Sequence, residues 1–327
     1  MMMLPLVVLA ALTSLAPPSN SKAIDEGIFR TTDEGMAIDG QVVHATTPLR
    51  RLLLAILPDR TTGRDWGLPY LEAAVADLQR LRPDAIFCVG DLIQGYTRTP
   101  LEWDRQANEY LEIVDGLPST FFPVPGNHDV ISGARDPSDR TFVDRYRTRF
   151  GPVHYAVAFE EGTIIVLFSD EALDDRNVSF SNKQLNWLEG VLAAAPSDRP
   201  IVLMMHRPLW RYAKVKWDDR VHPLLVKYGA DAVIAGHFHA LHREPDRDAI
   251  EYHLLGVCGG AIDQHPLTGQ FHHLTMLDLG PGDTISVMHM PVGVTMPDDV
   301  VLRVDQDRAF RMKRAYSNVT VDGTLPD

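Results

Sequence analysis

Six side chains of metal-ligand type recur in the order Asp, Asp, Asn, His, His, His, each near the end of an apolar run. Asp59 follows the run 52–57, Asp91 the run 85–90 and Asn127 the run 121–126. His206 follows the run 201–205, and His237 and His239 follow the run 231–236. Short runs rich in Val, Ile and Leu read as strands covered on both faces. A strand that ends in a ligand delivers it to one rim of a sheet, where α/β sheets place their ligands. Five such strands can gather the six groups around a pair of metal ions. One position departs from the series: two residues after Asp59, where a histidine would complete it, stands Thr61.

Between these strands the apolar residues change period. Leu71, Ala74, Val75, Leu78 and Leu81 keep helical spacing, and Pro83 ends the run. Further helices are expected around 103–114, 142–150, 185–192 and 221–227. Ser181 or Asn182 is the cap of the fourth and Gly229 the stop of the fifth. The segments 153–159 and 163–169 read as a hairpin turned at Glu161 and Gly162. After Gly236 the helical pattern stops, and 252–258, 271–279 and 284–290 read as antiparallel strands. The fold class is therefore α/β with a β-rich C-terminal third. Domain expectations are a signal peptide over 1–23, an N-terminal leader over 24–49 with one strand near 41–44, a catalytic domain over 50–290 and a C-terminal extension over 291–327.

A chain of 327 residues with a formal charge of −13 makes a polyanionic nucleic acid an unfavourable partner. The acidic balance still admits an anionic substrate, because bound metal ions reverse the local field. Leu4 to Leu15 has the character of a signal-peptide core, and Ser21 and Ala23 are small residues at the positions a signal peptidase reads. Export to a secreted or periplasmic location is expected, without a stable membrane span. Cys88 and Cys258 are the two cysteines; a bridge between them and two buried thiols are both compatible with the sequence.

Asp59 and Asp91 offer carboxylate oxygens, Asn127 a neutral carbonyl oxygen, and His206, His237 and His239 imidazole nitrogens. Mixed O and N ligation suits Zn, Mn or Fe better than an all-oxygen Ca site. Asp91 is the natural bridge between two ions, because it stands between the other ligands in chain order and follows a glycine. Two ions about 3.5–4 Å apart hold a hydroxide between them and clamp both oxygens of an in-line displacement. His128, next to the ligand Asn127, is placed to give its proton to the leaving alkoxide, and Asp129 to orient that imidazole. Arg60 is a candidate to grip a phosphate oxygen. The aromatic and cationic stretch 207–217 reads either as a substrate-facing lid or as a packed aromatic cluster.

Asp59, Gly90-Asp91, Gly126-Asn127-His128-Asp129, His206 and Gly236-His237-Phe238-His239 together resemble the motif series of the calcineurin-like metallophosphoesterases. The resemblance covers roughly residues 50 to 260, and it is specific because the motifs occur in order, each after an apolar strand. It implies a two-sheet β-sandwich flanked by helices in four layers, and two divalent ions (Mn, Zn, Fe or Mg). One ion would take Asp59, Asp91 and His239, and the other Asp91, Asn127, His206 and His237. His128 would be the proton donor. The departure is the first motif, Asp59-Arg60-Thr61 in place of Asp-x-His. The purple acid phosphatase branch also lacks that histidine but places a tyrosine three residues after the bridging aspartate; here Gln94 stands there. The Thr61 hydroxyl, the Gln94 amide or water is left to fill the gap, with a weaker first site or a harder metal, Mn or Mg, as the expected result. The leading function is a metal-dependent phosphoesterase acting on a small or exported phosphoester. The alternative is a catalytically weakened metal-binding or scaffold protein on the same fold.

Overall fold

The computed structural model describes residues 28–32, 35–38, 51–61, 67–96, 99–130, 139–171, 180–262, 268–280, 284–292 and 296–297. The expected signal peptide, the strand near 41–44 and nearly all of the C-terminal extension lie outside them.

Two mixed sheets form the centre. β3 (Leu52–Leu57), β4 (Ala85–Cys88) and β5 (Thr120–Phe122) run parallel. β12 (His273–Gly280), β13 (Thr284–Pro291) and β14 (Met296–Pro297) continue this sheet antiparallel, in the order β14-β13-β12-β3-β4-β5. In the second sheet β7 (Thr163–Val166), β8 (Ile201–Met204) and β9 (Ala232–Ala235) are parallel. β6 (Tyr155–Ala158) forms the expected hairpin with β7. β10 (His242–Arg247) and β11 (Ile250–Leu254) extend this sheet at one edge, β1 (Ile28–Thr32) and β2 (Gly35–Ile38) at the other.

Side-chain alternation along the strands sorts the layers. Ile164, Val166, Val202 and Met204 share one core with Leu54, Ile56 and Phe87 of the six-stranded sheet. Their neighbours Ile165, Leu203 and Met205 pack instead with Leu188, Leu192 and Leu225. Those leucines come from the helices Asn182–Ala194 and His222–Tyr228. Leu71 and Trp103, from the helices Leu68–Leu81 and Pro100–Val114, join the first core. The result is helices, sheet, sheet, helices. Burying each such aliphatic side chain contributes about 1.5–3 kcal/mol, so the two sheets are fixed face to face by many independent contacts.

Local signals set the helix ends. The Ser181 hydroxyl accepts the Gln184 amide at 3.1 Å and caps its helix, and Gly229 closes another with φ 68°. The C-terminal third differs from expectation in one respect. β11 pairs parallel with β9 and antiparallel with β10. The sequence His242-Arg-Glu-Pro-Asp-Arg247 carries no apolar alternation, and Pro245 falls where the β10–β11 register shifts. An edge strand tolerates that proline, which is why pattern reading passes over it.

Both parallel triplets end at the same rim. Their C-termini carry Asp59, Asp91 and Asn127 from one sheet and His206, His237 and His239 from the other.

Candidate metal centre

The six groups converge in two clusters that share Asp91. Ligand-type atoms of Asp91, His206 and His237 lie within 4.8 Å of one another, as do those of Asp59, Asp91 and His239. In the first cluster His206 Nε2 is 2.9 Å from Asn127 Oδ1, 3.2 Å from Asp91 Oδ2 and 3.2 Å from His237 Nδ1. Its other nitrogen, Nδ1, donates to the Val89 carbonyl at 2.7 Å, which fixes the ring and turns Nε2 inward. In the second cluster His239 Nε2 is 3.5 Å from Asp59 Oδ2.

Backbone geometry places these groups at a cost. Asp91 (φ 57°), His237 (φ 74°) and His239 (φ 54°) all adopt the left-handed conformation. Strain of this kind gathers where side chains must be aimed rather than packed. A Cβ on Gly236 would lie 2.5 Å from Asp59 Oδ1, so the glycine is what lets that loop close over the carboxylate. Asp59 Oδ2 then accepts the His237 amide at 2.7 Å.

The electrostatics are those of a cation site. Burial raises the Asp59 carboxyl well above its ordinary value, against the opposing charge of His206. Burial also works to raise Asp91, yet the charges of His206 and His128 hold it well below the usual carboxylate range. Burial would deprotonate His206, but Asp91 and Asp59 push it up to about 10. Burial, with the charges of His206 and Arg207, keeps His237 well below the usual imidazole value. Asp59 Oδ1 is buried with no hydrogen-bond partner among the described residues, an acceptor left for a cation. Oxygen and nitrogen donors in these two sets fit divalent Zn, Mn or Fe. Ligation needs a carboxylate and a neutral imidazole nitrogen, so an ion held here would compete with protons and bind more tightly as pH rises.

His128 lies beside the clusters and belongs to neither. Its Nδ1 donates to the Gln94 carbonyl at 2.6 Å, which leaves Nε2 for other work. The exposed Tyr96 ring meets it edge to face at 4.7 Å. Asp129 does not orient this imidazole, contrary to expectation. Its carboxylate accepts backbone amides of Asp91 (3.0 Å), Leu92 (2.8 Å), Ile93 (3.2 Å) and Gly126 (2.7 Å). Four converging N–H groups outcompete one imidazole, and Asp129 acts as the clasp that holds two ligand loops together. Burial and the Asp91 charge raise its carboxyl to about 8.

Thr61 and Arg60 both make contacts within the protein. The Thr61 hydroxyl is buried and lies 2.5 Å from the Ile93 carbonyl and 3.0 Å from that of Asp91, so its proton is engaged by the backbone. Arg60 is buried and one edge of its guanidinium lies 3.4 Å from Glu109. Thr61→Val keeps the shape and removes the donor. We expect a loss of about 1–3 kcal/mol in urea unfolding with ion stoichiometry unchanged; loss of an ion in this variant would restore Thr61 as a ligand.

Arg207, offered by the sequence only as one cation of the stretch 207–217, stands 3.0 Å from His237 Nε2. The tryptophans of the same stretch are packed, not a lid: Trp210 donates to Glu244 at 2.9 Å and Trp217 to the Tyr252 hydroxyl at 3.0 Å, both buried. Cys88 and Cys258 are separate buried thiols.

Comparison with known proteins gives a consistent picture. The family model described as calcineurin-like phosphoesterase matches residues 43–241. The chain is 27% identical over 239 residues to the 3',5'-cyclic adenosine monophosphate phosphodiesterase CpdA of Escherichia coli K12, across 66% of this chain and 76% of that protein. It is 31% identical over 143 residues to a probable cyclic nucleotide phosphodiesterase of Rhodopseudomonas palustris, across 42% of this chain and 48% of that one, about half its length. Among solved structures, the purple acid phosphatase PPD1 of yellow lupin (Lupinus luteus) superposes with a TM-score of 0.56 at 15% identity, over 75% of this chain and 52% of that chain. An identity that low speaks for the fold alone. The match over 43–241 takes in all six strand-end ligands and much of both sheets, and on it the chain belongs to the calcineurin-like phosphoesterase family, hydrolases that act on phosphoester bonds.

Proposed function

We propose that the chain is a two-metal phosphoesterase whose ions are held by Asp59, Asp91 and His239 on one side and by Asp91, Asn127, His206 and His237 on the other. The observation that carries this reading is the pair of donor clusters meeting at one shared carboxylate, Asp91. Two divalent ions, when bound, supply a nucleophilic hydroxide at neutral pH and neutralise the charge developing on the phosphate. The protein's own groups do the rest. His128, anchored through Nδ1, presents Nε2 as the proton donor to the departing oxygen. Asp129 keeps the loops bearing Asp91 and Gly126 in register. Asp59, Asp91 and His239 would hold the first ion with three protein groups and Asp91, Asn127, His206 and His237 the second with four, so the first would bind more weakly.

The substrate is a small phosphoester, and likeness to the Escherichia coli enzyme puts 3',5'-cyclic AMP in the panel beside p-nitrophenyl phosphate and its bis ester. Exhaustive chelation is expected to abolish turnover, and Mn, Zn or Fe to restore it. A titration of the stripped chain should then show two unequal binding steps, tighter at higher pH. Ion-loaded chain that turns over none of the panel would favour the metal-binding scaffold instead.

A further inference from the structure

We infer that Arg207 is a substrate-binding residue, whose guanidinium takes a phosphate oxygen together with His237. The inference rests on the two-metal reading above, in which His237 is a ligand. His237 offers Nδ1 to the cluster, 3.2 Å from His206 Nε2, and Nε2 to Arg207 Nη1, 3.0 Å away. In the ion-free chain this is a sound contact, because Nε2 accepts and the guanidinium donates. A neutral imidazole that coordinates through Nδ1 carries its one proton on Nε2. Arg207 has five N–H donors and no acceptor. Coordination therefore turns the pair into two donors facing each other. What satisfies both is an acceptor, and an anionic oxygen satisfies them best.

The rest of the Arg207 environment holds the guanidinium in place. Its Nε donates to Asp170 Oδ1 at 2.6 Å, and the Ser169 hydroxyl donates to Asp170 Oδ2 at 2.8 Å. The Ser169 oxygen accepts the Arg207 amide at 3.0 Å. Tyr212 also bonds the side chain. Asp170 thus takes the Nε edge and leaves Nη1 directed at the metal ligand. The guanidinium is 3% exposed, so a bond to it forms away from bulk water, where charged hydrogen bonds are strong. This is the role expected for Arg60 from sequence, transferred to an arginine that the fold brings to the centre from the opposite sheet. What distinguishes Arg207 is its 3.0 Å approach to His237, whereas the Arg60 guanidinium lies 3.4 Å from Glu109.

The test uses the Zn-loaded full chain and inorganic phosphate as the probe, read by isothermal titration. Arg207→Met is expected to weaken phosphate binding about 10–100-fold, the effect of losing one charged hydrogen bond of about 1.5–3 kcal/mol, with zinc content unchanged. For an ester substrate the same factor should appear mainly in KM. A variant that binds two zinc ions and phosphate as the wild type does overturns the proposal. Should Arg207→Met fail to fold, a crystal structure of the wild-type zinc and phosphate complex decides: a phosphate oxygen within hydrogen-bond distance of the guanidinium supports the proposal, and none there overturns it. Wild-type chain that binds a single ion, or none, points instead to failure of the two-metal reading.

Discussion

Asp91→Asn should strip both ions and reduce turnover to the metal-free background. Asp91 is the group common to both clusters, so removing its charge weakens two sites with one substitution. The loss is specific because Asp91 also organises its neighbours. Its Oδ1 accepts the His128 amide at 2.9 Å, and its Oδ2 lies 3.2 Å from His206 Nε2. An asparagine preserves the first contact through its carbonyl but sets either an amide donor or a neutral oxygen toward the ions. Folding should survive. His206 is held up to about 10 by Asp91 and Asp59, and with Asp91 neutral it can release its proton rather than remain a buried charge with one partner fewer. Far-UV circular dichroism and ion content by atomic emission give the two readouts. Retention of one ion at wild-type affinity would show that Asp91 belongs to one site only, and the shared-carboxylate reading would then fall.

The placement of the ligands was legible because it depends on a local rule. A buried parallel strand reads as a short Val- and Ile-rich run, and its last residues must lie at the sheet rim. That rule places Asp59, Asp91, Asn127, His206, His237 and His239 without knowledge of the topology, as the common ends of β3, β4, β5, β8 and β9 show. What the rule cannot see is where a side chain turns after it arrives. Asp129 adjoins His128, yet its oxygens reach amides 36 to 38 residues away in sequence. Thr61 sits where a ligand was expected, and its hydroxyl bonds carbonyls some 30 residues on. Arg207 meets His237 across two strand ends, a contact set by the parallel register of β8 and β9. Each is a tertiary contact between loops, and no periodicity encodes it. The edge strand β10 was passed over for a different reason: a charged strand with one partner needs no apolar face.

His128→Ala separates proton transfer from metal binding. The expected result is a fall in turnover of about 10²–10⁴-fold with both ions retained. Retention follows from geometry. The contact His128 makes with Asp91 runs through its backbone amide, which alanine keeps. The ring itself bonds the Gln94 carbonyl through Nδ1 and meets Tyr96, and it contributes to neither donor cluster. The size of the defect should depend on the leaving group. An alkoxide is a poor leaving group and needs the proton, so alkyl esters should suffer the full loss. A p-nitrophenolate departs without help, so p-nitrophenyl phosphate should be hydrolysed by His128→Ala far closer to the wild-type rate. A ligand or a purely structural residue gives no such split, because losing an ion or a loop slows every ester alike. Equal losses on alkyl and nitrophenyl esters, or zinc content falling with the substitution, would remove His128 from the role of proton donor and leave the departing oxygen to solvent.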